Sequence, residues 1–132
     1  MAGKADLRCM TTPSSILVVD DNPEAREMLG ALLSSLGVER VQEVPSAEEA
    51  LQILSHEAFS LIISDYRLEG MDGVEFLDRV RKSGDQTPLI LISGAPEQLA
   101  MIRASRQDRV DVFPKPFRIT ELTGAMDRLL AP

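Results

Sequence analysis

The chain has 132 residues, 44% of them hydrophobic and 27% charged, the make-up of one globular domain able to bury roughly two-thirds of the surface its unfolded form exposes. Asp and Glu number 21 against 14 Lys and Arg, a net charge of −7, which argues against the nonspecific nucleic-acid binding that clustered basic residues support and favours cations instead. The one cysteine, Cys9, excludes an intramolecular disulfide or a cysteine metal cluster, and no apolar run approaches the ~20 residues that span a bilayer.

Residues 1–14 show no periodicity and read as a flexible lead-in. Lys4, Asp6 and Arg8 alternate there without an apolar segment, so no secretory signal is expected and the expected setting is cytoplasmic. Ile16-Leu17-Val18-Val19 is a strand buried on both faces, ending in Asp20-Asp21. Asn22 caps the next helix and Pro23 suits its first turn. Ala25, Met28, Leu29, Leu32, Leu33 and Leu36 form the apolar face of that helix, which Gly37 stops. Val38 to Val44 reads as a shorter strand, and Ser46-Ala47-Glu48-Glu49 as a capping box opening a helix through Ala50, Leu51, Ile53 and Leu54. His56, near its end, lacks flanking ligands and reads as solvated.

The third strand, from Ser60, ends in Asp65, followed by a loop punctuated by Gly70 and Gly73. Asp72 with Glu75 caps a helix whose core positions are Val74, Phe76, Leu77 and Val80. Leu89 to Ile92 is a fourth strand ending in Ser93-Gly94-Ala95, and Pro96 opens a fourth helix with Leu99, Met101 and Ile102 as its apolar positions. Arg103, Arg106 and Arg109 read as a solvated face. Val110 to Phe113 is the fifth strand, which Pro114 is expected to end early by removing a ladder donor. Ile119, Leu122, Ala125, Met126, Leu129 and Leu130 mark a fifth helix. Five βα units in strict alternation, with strands lacking a polar face, predict an α/β domain: a parallel sheet with helices on both sides.

Asp20-Asp21, Asp65, Ser93 and Lys115 all stand at strand carboxyl ends, which lie along one edge of such a sheet. Three carboxylates brought together raise a pKa or bind a cation, and a hard ion with oxygen ligands, Mg²⁺ above all, suits them. Asp65 can then act as a carboxylate nucleophile toward phosphorus, with the Ser93 hydroxyl and the Lys115 ammonium meeting phosphoryl oxygens. Asp-Asp-Asn-Pro after the first strand is no glycine-rich phosphate cradle, which argues against a dinucleotide or flavin binder. A phosphatase would need an acid–base residue beyond those seen.

Four segments carry a family resemblance: Ile16-Leu17-Val18-Val19-Asp20-Asp21-Asn22, Asp65 with Met71-Asp72-Gly73, Leu91-Ile92-Ser93-Gly94-Ala95, and Lys115-Pro116-Phe117. In order and at strand ends, they resemble the response-regulator receiver domains of two-component signalling, the CheY-like module, expected here over residues 15–131. The resemblance implies a doubly wound sheet of order 2-1-3-4-5 with five helices. It implies that Asp65 is phosphorylated by a histidine kinase or histidine phosphotransfer protein. Mg²⁺, with Mn²⁺ or Ca²⁺ as substitutes, is expected on Asp21, Asp65 and the Arg67 backbone carbonyl, with Asp20 assisting. Ser93 and Lys115 are expected to hold the phosphoryl group, and the peptide before Pro116 to be cis, aiming the lysine inward.

On this reading the chain is not an enzyme, beyond taking up its own phosphate and losing it slowly. It signals by docking a partner through the fourth helix, fifth strand and fifth helix, or by passing phosphate on, as a monomer or weak dimer without direct DNA or membrane binding. If the chain is the whole protein, its end at Pro132, directly after the fifth helix, implies no attached output domain; it can equally be a domain of a longer protein. The alternative is a non-phosphorylated pseudo-receiver acting only as a docking module. One departure from the family stands out: the position three before the lysine, usually aromatic, is Val112, and Phe113 beside it is expected to face the other side of the sheet.

Overall fold

The computed structural model describes residues 14–95, 97, 100 and 109–130. In chain order its elements are β1 (Ser15–Val19), α1 (Pro23–Ser35), β2 (Arg40–Val44), α2 (Ala47–Leu54), β3 (Leu61–Asp65), α3 (Gly73–Lys82), β4 (Leu89–Ser93), β5 (Val110–Pro114) and α4 (Ile119–Leu130). The strands form one sheet in the order β2-β1-β3-β4-β5, every neighbouring pair parallel. The described residues hold four helices; the expected helix opened by Pro96 lies outside them except for Glu97 and Ala100, as do Leu99, Met101, Ile102, Arg103, Arg106, Cys9 and residues 1–13 of the lead-in.

Strand alternation divides the apolar residues between two cores. Leu17, Val19, Ile62, Leu89, Leu91 and Val112 face α2 and α3, where Ala47, Ala50, Phe76, Leu77 and Val80 cover them. Ile16, Val18, Leu61, Ile63, Ile90, Ile92 and Phe113 face α1 and α4, under Leu33, Leu122, Ala125 and Met126. Burial on both faces is what made β1, β3 and β4 read as unbroken apolar runs. Val112 and Phe113 thus face opposite cores, and the Phe113 ring packs at 5.9 Å from Phe117.

The helices begin where their caps predict. Asn22 Oδ1 accepts from the Glu24 and Ala25 amides, Ser46 Oγ from Glu49, and Asp72 Oδ1 from Glu75. Helix α1 ends at a left-handed Gly37 (φ 98°), and the Val38 amide donates to Leu33 O, so Val38 closes the helix and β2 starts only at Arg40.

Two further expectations are corrected. Pro114 is part of β5, paired with Ser93, and the next amide, Lys115 N–H, donates to Ser93 O at 2.9 Å. β5 is an edge strand, and alternate amides point away from β4, so the missing proline donor falls on the open edge. Met28 and Ile119 are not core residues but exposed, at 74% and 52%. Arg109 is exposed and left-handed (φ 60°), with its Nη2 donating to Leu129 O; His56 is exposed as expected. Among the described residues no helix is long and apolar enough to cross a membrane.

Candidate functional site

The strand order reverses direction between β1 and β3, and in open parallel sheets a crevice forms at that switch point, beyond the strand carboxyl ends. Asp20 and Asp21 follow β1, and Asp65 closes β3. Their carboxylate oxygens lie within 4.8 Å of one another.

Local backbone structure holds Asp20 and the chain on either side of Asp65. The Asp20 amide donates to Val44 O at 3.2 Å, continuing the ladder to β2, and its Oδ1 accepts from the Asn22 amide at 3.0 Å. The Asp20 carbonyl accepts from Arg26 Nη1 at 2.8 Å. Beyond Asp65, the Tyr66 amide donates to Ile92 O at 2.8 Å, and Arg67 forms an isolated antiparallel bridge with Asp72. Buried Leu68 and Met71 anchor the intervening loop. Gly73 closes it by close approach: its amide donates to Tyr66 O at 2.6 Å, and a Cβ there would lie 2.7 Å from Leu91 Cδ2 and 3.0 Å from Tyr66 Cα. No larger residue fits this spot without displacing the backbone beside Asp65.

Opposite the acids, Lys115 Nζ lies 3.0 Å from Asp65 Oδ1, with Asp65 mostly buried and Lys115 partly exposed. The Lys115–Pro116 peptide is cis. Ser93 is buried at the end of β4, and its Oγ accepts from the Ala95 amide at 3.1 Å. Arg67 is exposed. The fold therefore brings Asp20, Asp21, Asp65 and Lys115 together, with Ser93 at the end of the neighbouring strand.

The electrostatics of the cluster suit a cation. Burial pushes the Asp20 carboxyl above its ordinary value, and Asp65 and Asp21 add to the rise, while the Asn22 amide and Lys115 pull the other way. Three carboxylates against the ammonium that touches Asp65 leave two negative charges, and the donor set is all oxygen. A hard divalent cation matches both features. An apolar cavity of about 660 Å³ opens beside this cluster, between Met28, Leu29 and Leu32 of α1 and Phe117 and Ile119 at the start of α4. Arg26, which holds the Asp20 carbonyl, was not singled out from sequence: one arginine in a helical first turn carries no signal until packing shows what it faces.

Comparison with known proteins agrees with this geometry. The family model described as "Response regulator receiver domain" matches residues 16–127. The response regulator FleR of Pseudomonas aeruginosa is 36% identical over 115 residues, 87% of this chain and 24% of FleR. The transcriptional regulatory protein FixJ of Bradyrhizobium diazoefficiens is 31% identical over 118 residues, 89% of this chain and 57% of FixJ. This chain thus spans a quarter to little more than half of those relatives. Among solved structures, the response regulator TrrA of Thermotoga maritima, in complex with Mg²⁺-BeF, superposes with a TM-score of 0.78 at 28% identity, covering 88% of this chain and 98% of TrrA. With sheet order, strand-end chemistry and family match in agreement, the chain belongs to the response-regulator receiver domains of two-component signalling.

Proposed function

We propose that Asp65 is the phosphoacceptor of this receiver domain, taking a phosphoryl group from a phosphohistidine on a histidine kinase or histidine phosphotransfer protein. An Asp65 carboxylate oxygen forms the new P–O bond as the donor's P–N bond breaks. The imidazole leaves with the electron pair and takes its proton from water. The observation that carries this reading is the 3.0 Å contact between Lys115 Nζ and Asp65 Oδ1. An ammonium already paired with the acceptor carboxylate is placed to take a phosphoryl oxygen once Asp65 is an acyl phosphate. The Ser93 hydroxyl at the next strand end takes another.

Asp20, Asp21, Asp65 and the Arg67 backbone carbonyl would hold Mg²⁺, or Mn²⁺ or Ca²⁺ in its place. When bound, the cation offsets the charge that builds on the phosphoryl oxygens. TrrA, a similar protein, was solved with Mg²⁺ and a phosphoryl mimic together. Any hydrolysis would be slow turnover of the chain's own Asp65 phosphate, in the cytoplasm. The phosphoryl group adds about −1.5 to −2 charges beside Lys115 and Ser93. Among the described residues, β5 and α4 are the elements that would pass this change to a downstream protein. The docking-only reading gains nothing here, because the three acids cluster within 4.8 Å of one another and the lysine touches Asp65.

The test is incubation with acetyl phosphate or beryllium fluoride and Mg²⁺, read by intact mass. The wild-type chain gains one phosphoryl group or mimic and Asp65→Asn gains none. An unmodified wild type, or equal labelling of Asp65→Asn, overturns the assignment.

A further inference from the structure

Arg26 in α1 is only 18% exposed, and its guanidinium is spent on backbone: Nη1 donates to the Asp20 carbonyl oxygen at 2.8 Å. That carbonyl belongs to the peptide joining Asp20 to Asp21. Because a peptide unit is planar, fixing its carbonyl fixes the direction in which the chain enters Asp21. The Asp20 amide is tied on its other side to Val44 O, so the residue is clamped between β2 and α1.

Glu43 of β2 completes the arrangement. Its Oε1 lies 3.8 Å from Arg26 Nε, and its carboxylate occupies the space left by Gly30 on α1, where a Cβ would sit 2.5 Å from Oε2. Gly30, four residues on from Arg26, is buried by this acid. An arginine so far withdrawn from water needs such a counter-charge.

We propose that Arg26 is a positioning residue for the cation site: it orients the Asp20–Asp21 peptide so that both carboxylates meet Asp65, and Glu43, seated over Gly30, orients Arg26. The inference rests on the reading of Asp20, Asp21 and Asp65 as a divalent-cation site. Charge alone makes the opposite statement. A guanidinium near a cation site repels the cation, so deleting it should tighten binding. A positional role requires deletion to weaken it.

The experiment is a Mg²⁺ titration of the full chain at constant ionic strength, by calorimetry and by NMR, with wild type, Arg26→Met and Arg26→Lys. Arg26→Met is expected to bind Mg²⁺ about tenfold more weakly, the scale of loss when a partner of a metal ligand is removed. Arg26→Lys keeps a donor for the single carbonyl and is expected to recover most of the affinity. In the metal-free protein, loss of the hydrogen bond should move the Asp20 carbonyl carbon resonance upfield in Arg26→Met and leave β4 and β5 unmoved. Should Arg26→Met fail to fold, Arg26→Gln is judged by the same criteria. Affinity equal to or tighter than wild type, or an unmoved Asp20 carbonyl, overturns the role of Arg26 while leaving the cation site standing. A wild-type chain that binds no Mg²⁺ overturns both.

Discussion

At Asp20, burial works against ionisation, and Asp65 and Asp21 reinforce it, so the carboxyl's value in the fold lies above the 3.8 of an exposed aspartate. The direction of the pH effect follows. Stability contributed by the neutral form is fully present below the unfolded value and is lost as pH rises through the raised folded value. Ionised Asp20 is therefore a cost to the metal-free protein at neutral pH. In EDTA, Asp20→Asn should raise the thermal midpoint at pH 7, and the gain over wild type should shrink as pH falls toward 4. A variant less stable than wild type at pH 7 would mean that the Asn22 amide and Lys115 outweigh the burial. The proposed cation site would thus be built at the expense of stability, as functional sites commonly are.

Among the elements, β5 shows how one strand can carry residues of opposite consequence. Phe113 is buried against Leu122, Ala125 and Met126 of α4, whereas Pro114, next to it, is exposed on the sheet edge. Phe113→Ala should cost ~3–5 kcal/mol in urea unfolding, as expected for a large side chain removed from a packed core. Pro114→Ala should stay within ~1 kcal/mol, because its missing donor faces no partner strand and only chain stiffness changes. Val112 packs in the other core beside Leu91, so it provides no ring to move between buried and exposed positions at this site. Helix α1 was legible in its cap and stop, yet its apolar face was only partly so. Met28 keeps helical spacing with Leu29 and Leu32 but lines the rim of the cavity, because α1 and the start of α4 do not close over it. Periodicity identifies which face turns inward; it does not say how far the neighbouring element reaches.

For the whole molecule, two cores on either side of one sheet hold the strand ends in register, and a cation bound as proposed at Asp20, Asp21 and Asp65 would link the ends of β1 and β3. A ligand that binds only the folded state adds RT ln(1 + [L]/Kd), about 2.7 kcal/mol at a hundredfold excess over Kd. Mg²⁺ at such an excess should raise the thermal midpoint of the wild-type chain, and Asp21→Ala should abolish that rise while leaving the metal-free protein folded. Asp21 is suited to this test because it is exposed and lies outside both cores. An undiminished Mg²⁺ effect in Asp21→Ala would remove this acid from the ligand set.

Much of the protein was decided by local chemistry along the chain. Apolar runs without a polar face require a sheet covered on both sides, capping side chains start the helices, and polar residues placed at strand ends meet along one edge. These rules act over a few residues, so one chain suffices to read them. Tertiary structure alone decided the contacts between elements: the Lys115–Asp65 pair, the exposure of Met28 and Ile119, and the fit of Gly73 against Tyr66. It also decided the path from Glu43 across Gly30 to Arg26 and the Asp20 carbonyl. Each of these depends on the distance between surfaces brought together from far apart in the chain, which a pattern of neighbouring residues does not display.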